Sequence, residues 1–226
     1  MLFLGLVNFM WMVYLIIALL VSLSVHEASH ALIAYRLGDP TAKEKGRLSL
    51  NPFAHLEPFG TLLLLTVGLG WGRPVPVDPH RLRPNPKVGM ALVGMAGPLS
   101  NLMLASVLAI PLRMHWVRFT PQRFMGLLIS TGELLSFIVW VSLALAVFNL
   151  IPFGPLDGSR VIAGFLPDWW FYFSARVEII AFGLFIVVLL ADRFLGTAIL
   201  ARAILPPVQA LWWKLVGFTP PDLFRF

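Results

Sequence analysis

The sequence predicts an all-α polytopic membrane protein: one domain over residues 1–226, about five transmembrane helices, and a short re-entrant or β-hairpin segment near residues 46–78. Three observations carry that prediction. Hydrophobic residues make up 58% of the chain and charged residues 12%, about half the usual charged share. The mean hydropathy is +0.84. The charges fall between apolar runs long enough to cross a bilayer, which takes about 20 residues of helix. The net charge of +6 sits in the loops, so it reads as topology information and lipid contact, not as a nucleic-acid surface. There are no cysteines, which excludes a disulfide framework and a thiolate metal site. The amino-terminal stretch lacks a positive n-region, and its apolar run is too long for an ordinary signal peptide.

The first span runs roughly from Phe9 to Tyr35, about 40 Å of helix. No charge precedes Val25; then comes His26-Glu27-Ala28-Ser29-His30, and the apolar run resumes. Ionisable residues inside a span are costly to bury and mark a functional site by default. On a helix, positions i and i+4 share one face, so His26 and His30 can reach one ion, with Glu27 placed to handle a water on that ion. Zinc would lower the pKa of that water to about 7. The H-E-x-x-H pattern is short and arises by chance in soluble helices. Within an uncharged span the chance reading would bury three polar side chains without purpose. Arg36, Lys43, Lys45 and Arg47 follow, which puts this end in the cytoplasm and the amino terminus outside. The histidine pair then lies below the cytoplasmic surface.

Gly38 and Pro40 end the helix. Gly46 to Asn51 alternates polar and apolar residues and predicts a short strand. Phe59 to Leu69 is apolar but short for a span, and basic residues Arg73, Arg81, Arg83 and Lys87 follow it. A segment that returns to the cytoplasmic side fits that charge pattern. Arg73 to Asp78 reads as an extended edge strand, since Pro74 and Pro76 remove two donors from one edge, or equally as a surface loop. The second span is about Val88 to Leu112 and carries Gly97-Pro98-Leu99-Ser100-Asn101. The linker from Arg113 to Glu133 should lie outside, with an interfacial amphipathic helix as one explanation of its arginines. The third span, about Leu134 to Ile151, ends in a Pro- and Gly-rich stretch just where Asp157 appears; such broken backbone at membrane depth is tolerated where it lines a wet cavity. A fourth span covers about Phe171 to Leu190, with Glu178 inside it beside basic partners such as Arg176 or Arg160. A fifth covers about Thr197 to Val216. Trp169, Trp170, Trp212 and Trp213 read as interface anchors. Threaded this way, three polar motifs from three spans meet at one depth.

Those motifs resemble the site-2 protease family of intramembrane zinc metalloproteases. The likeness rests on His26-Glu27-x-x-His30, Gly97-Pro98-x-x-Asn101 and Asn149-x-x-Pro152-x-x-Pro155-Leu156-Asp157-Gly158. It covers roughly Val21 to Gly164, including Asn51-Pro52 with His55 and the stretch GWGRPVPV. It is nearest the short bacterial and archaeal members, which have no PDZ or CBS domain. The resemblance implies one zinc ion held by His26, His30 and Asp157, with Glu27 as general base. It implies cleavage of transmembrane helices of partner proteins near the cytosolic side, by an enzyme of the cell membrane.

Three more residues carry a functional and a plainer reading. Asn149 either orients substrate or caps broken backbone, with capping favoured. Asn101 either hydrogen-bonds across spans or only accompanies close packing through Gly97, with packing favoured. His55 is the rival metal ligand or substrate contact, though such histidines are more often loop residues. Two other functions stay open on the residues alone: a metal carrier or channel, and an inactive relative that only binds transmembrane segments. Glu27 separates them from a hydrolase, because a carrier has no need of a carboxylate beside its first ligand.

Overall fold

The computed structural model describes residues 9–57, 72–120, 122–124 and 127–218. Three long helices dominate it: α1 (Phe9–Arg36), α3 (Pro86–Arg113) and α4 (Thr131–Asn149), each packed against the other two. All three are long and apolar enough to cross a membrane. One turn of helix, α2 (Thr41–Glu44), follows α1, and short 3₁₀ turns span Pro52–Ala54 and Pro79–Arg81. After α4 come α5 (Asp157–Ala163), α6 (Asp168–Leu195) and α7 (Ile199–Leu215).

Polar caps fix where the spans begin. Asn85 accepts from Val88 N at 2.9 Å and starts α3, with Pro86 in its first turn. Ser130 accepts from Glu133 N at 3.2 Å and starts α4. Each satisfies donors that the first helical turn leaves free.

In lipid there is no hydrophobic gain from bringing apolar helices together, so close packing and interhelical hydrogen bonds must hold the bundle. Ala18, Ala105 and Ala109 are buried to the last percent and let the backbones approach, around Tyr14, Phe137, Trp140 and Leu143. The hydroxyls of Ser22 and Ser142 meet at 2.8 Å, and Tyr14 Oη accepts from Ser130 N at 2.7 Å. Such contacts contribute about 0.6–2 kcal/mol each. The outward faces carry Leu15, Ile16, Ile17, Met103, Val107 and Ile110, all exposed to the surroundings.

Several expectations change. Of the five expected spans, three are matched among the described residues by helices of the length and composition of a span. The fourth and fifth stretches are helical, but the apolar part described in α6 is Ile180–Asp192, and α7 has only 17 residues and contains Pro206 and Pro207. Gly46 to Asn51 forms bends rather than a strand, because side chains intercept its backbone: Ser49 O takes the His55 ring, and Asn51 Oδ1 takes Phe53 N. The linker before α4 pairs Gln122–Phe124 (β1) with Leu127–Ile129 (β2) as an antiparallel ribbon, not an amphipathic helix; Gly126 there would cost a helix about 1 kcal/mol. Trp212 is fully buried against Trp140 and donates to Phe218 O, so it is a core residue and not an interface anchor.

The stretch Phe59 to Leu69, expected to return to the cytoplasmic side, lies outside the described residues. Its flanks are joined by one antiparallel bridge, Leu56 with Gly72, and by Arg73 N donating to His55 O at 2.8 Å. From there to Asp78 the chain has no regular structure. It is tied back to the end of α1 by Asp39, whose buried carboxylate accepts from Asp78 N at 2.7 Å and from Thr41 N at 3.0 Å. Gly38 makes that turn possible: its φ is 107°, and a Cβ would sit 3.1 Å from Arg81 O.

Candidate metal centre

The α1 periodicity sets His26 and His30 one turn apart on the buried face, rings edge to face with centroids 4.6 Å apart. α3 crosses them at Gly97. A Cβ there would lie 2.4 Å from His30 Nε2 and 2.5 Å from His26 Cε1, so only glycine leaves room for both rings. Asp157 arrives from the far side. α4 ends at Asn149, and the chain turns through Leu150–Leu156 into α5, with Asp157 in its first turn. Gly158 lets α5 start hard against the preceding turn, since a Cβ there would lie 2.4 Å from the carbonyl oxygens of Leu150 and Ile151.

The three side chains converge. Asp157 Oδ2 lies 3.1 Å from Nε2 of each histidine, and the two Nε2 atoms are 3.0 Å apart. All three residues are buried, and they form a group of donors able to hold a metal ion. Tetrahedral zinc with bonds of about 2.0–2.1 Å separates its donors by about 3.3–3.4 Å. The triangle therefore needs to open by only a few tenths of an ångström.

The second ring nitrogens show why a cation fits. His30 Nδ1 lies 2.6 Å from Val93 O, a carbonyl that can only accept. In the neutral ring Nδ1 thus carries the proton, and Nε2 presents its lone pair to the cluster. The Asn101 amide reaches His26 Nδ1 at 3.2 Å, and the buried Asn101 Oδ1 has no other partner among the described residues. Turned end for end, the amide gives that orphan oxygen to Nδ1–H, and His26 too aims a bare Nε2 inward. Two lone pairs and a carboxylate oxygen at about 3 Å repel one another unless a cation lies between them.

Glu27 stands beside the cluster, half-buried, within electrostatic reach of His30 and of Arg47. Arg160, three residues beyond Asp157, approaches its other oxygen, with the guanidinium 3.9 Å from Oδ1. The remaining candidates lie elsewhere. His55 is fully buried, donates Nε2–H to Ser49 O at 2.7 Å and is not among the converging donors. Asn149 turns back on its own helix, donating to Leu145 O at 3.0 Å. Glu178 is in α6, where its side chain is outside what is described. Val93 is new to the site, and Arg160, expected only as a partner for Glu178, meets Asp157 instead. A backbone acceptor leaves no mark in a sequence; Arg160 carried a signal, its i+3 spacing from Asp157.

Comparison with known proteins points to one family. The model of peptidase family M50 matches residues 122–191, a stretch that includes Asp157. The chain is 44% identical over 161 residues to the Bacillus subtilis protein named "Putative zinc metalloprotease YwhC", covering 69% of this chain and 70% of that one. It is 30% identical over 145 residues to a Mycolicibacterium smegmatis protein named "Putative zinc metalloprotease Rip2", covering 62% of this chain and 52% of that one. It is 26% identical over 168 residues to "Zinc metalloprotease MJ0392" of Methanocaldococcus jannaschii, covering 74% of this chain and 39% of that one. No solved structure matches the chain.

Proposed function

This chain belongs to peptidase family M50, and from that premise we propose that it hydrolyses peptide bonds in transmembrane segments of other membrane proteins, near the cytosolic face of the bilayer. It is a zinc metalloprotease with membrane-spanning helices. The observation that carries the reading is the convergence of the buried His26, His30 and Asp157 side chains.

In this reading His26, His30 and Asp157 would hold the ion. Zinc bound there would polarise the scissile carbonyl and acidify a water. Glu27, the half-buried carboxylate next to His26 in the chain, would accept that water's proton and return it to the leaving amine. Val93 O and Asn101 fix which imidazole nitrogen faces the ion. Arg160 steadies the Asp157 oxygen that faces away from the histidines.

A substrate helix has its amides bonded internally, so it must unwind before it can be cut. The Arg73 to Asp78 stretch, free of sheet pairing beyond Gly72, could receive it by strand addition. In this reading the amino terminus lies outside, since the basic residues clustered after α1 favour the cytoplasmic side. α6 and α7 supply the fourth and fifth crossings, and the whole chain acts as one domain.

The test is metal analysis paired with incubation of the detergent-purified protein against a panel of single-span substrates. About one zinc per chain and cleavage within a span support the reading; zinc without cleavage of any span would leave a metal-binding protein of another kind.

A further inference from the structure

A cavity of about 530 Å³ lies between the loop after α2 and the stretch after Gly72. Lys45, Arg47 and Arg73 line it together with Phe53, Pro74 and Pro76, and among the described residues no acidic one does. Among the described residues none of these cations forms an ion pair with a carboxylate. Arg47 is only 6% exposed and is pinned by donating to Ala54 O, while Lys45 and Arg73 are exposed. Burial penalises the Arg47 charge, and the like charge of Arg73 adds to that cost. An anion in the cavity would relieve both.

The surroundings indicate which anion. Phe53 and Leu50 are 77% and 68% exposed, a poor arrangement in water but a natural one among lipid tails. The 3₁₀ turn that carries Phe53 packs against α1. Tyr35, at the same end of α1, is half-exposed with Lys43 Nζ 4.3 Å from its ring centre, as in an interfacial aromatic belt. The volume is also that of a small-molecule site rather than of a lone carboxylate.

We propose that this cavity binds the phosphate-bearing headgroup of an anionic phospholipid, with Lys45, Arg47 and Arg73 on the phosphate and Phe53 beside the acyl chains. Only the choice of leaflet, the cytoplasmic one, depends on the orientation proposed above. The headgroup would sit against Arg47, which also feels the charge of Glu27, so bound lipid becomes part of the electrostatic field at the site.

The test uses the full chain in neutral detergent, titrated with phosphatidylglycerol or phosphatidylcholine and read by lipid retention in native mass spectrometry. Phosphatidylglycerol should be retained about tenfold better, and the Lys45→Gln/Arg73→Gln variant should lose most of that preference. Both side chains are exposed, so the variant should melt like the parent. Arg113→Gln, at the far end of α3, should keep the preference. Equal retention of the two lipids, or a preference untouched in the double variant, overturns the proposal. Displacement by millimolar inorganic phosphate as effective as by lipid would make it a soluble-anion site instead. A double variant that keeps its lipid but binds an acid-flanked peptide substrate less well would assign the pocket to substrate and end the lipid inference. None of these readouts depends on cleavage, so they stand or fall apart from the proposed protease activity.

Discussion

His30 Nδ1 sits 2.6 Å from the carbonyl oxygen of Val93, on the helix that crosses it. That one contact decides which nitrogen of His30 faces Asp157 and His26, and it couples the metal centre to the packing of α1 on α3. The packing is close there because Gly97, one turn further along α3, has no side chain to interpose.

Gly97→Ala should therefore remove zinc rather than unfold the protein. The new methyl would meet His30 Nε2 at 2.4 Å and His26 Nε2 at 2.6 Å, and the rings must swing away from the shared ion. Alanine is the better helix former by about 1 kcal/mol, which offsets part of the strain. The expected result is metal content well below one per chain with helical content retained, by metal analysis and far-ultraviolet circular dichroism.

Asn101→Leu should weaken zinc binding by about 10–100-fold, the usual effect of removing a residue that orients a metal-ligating histidine. Leucine is close in size to asparagine but cannot bond His26 Nδ1, now 3.2 Å from the amide. Chelator competition measures this without any substrate. Unchanged affinity would reduce Asn101 to a packing residue.

Glu27→Gln should keep zinc and lose about 10²–10⁴ in turnover. Glutamine preserves the shape of the side chain but cannot take a proton from water. Normal cleavage of a model substrate by this variant would remove Glu27 as the base. Asp157→Ala should instead lower zinc content directly, because it deletes one corner of the triangle formed with the two histidines.

The long helices were readable because burial in lipid demands uncharged runs, and the expected span Phe9–Tyr35 meets the helix Phe9–Arg36. The other two starts were missed by two or three residues. Asn85 and Ser130 are polar caps lying outside the apolar runs, and they draw Pro86 and Thr131 into the helices. His26 and His30 could be paired in sequence from their i, i+4 spacing, whereas Asp157 came with the family resemblance; the structure brings its carboxylate to both rings. Val93 could not be named, because its contribution is a carbonyl that every residue possesses. Gly46 to Asn51 misled because strand alternation was outcompeted by local bonds from Ser49 and Asn51. The favoured packing reading of Asn101 understated it: the residue touches His26 as well as lying behind Gly97.

Asp39 supplies the last prediction, on the loop that frames the site. Its carboxylate is fully buried and joins Thr41 to Asp78 N, which lies 39 residues away. Burial would raise its pKa, but the bonds from Thr41 and Asp78 and the nearby Arg81 hold it below the usual carboxylate value. A depressed folded value means the stabilisation is present above the unfolded pKa of about 3.9 and is lost as pH falls through the folded one. The Arg73 to Arg83 stretch should stay docked from neutrality down to about pH 4 and loosen below that. Asp39→Asn keeps the shape and removes the charge, so at pH 7 it should lose about 1–2 kcal/mol of docking. Hydrogen exchange at Asp78 and its neighbours reads both effects: the variant at pH 7 should resemble the parent in acid, while the amides of α3 stay protected in each. Equal protection of Asp78 in parent and variant would show that the turn at Gly38, and not the Asp39 carboxylate, fixes this segment.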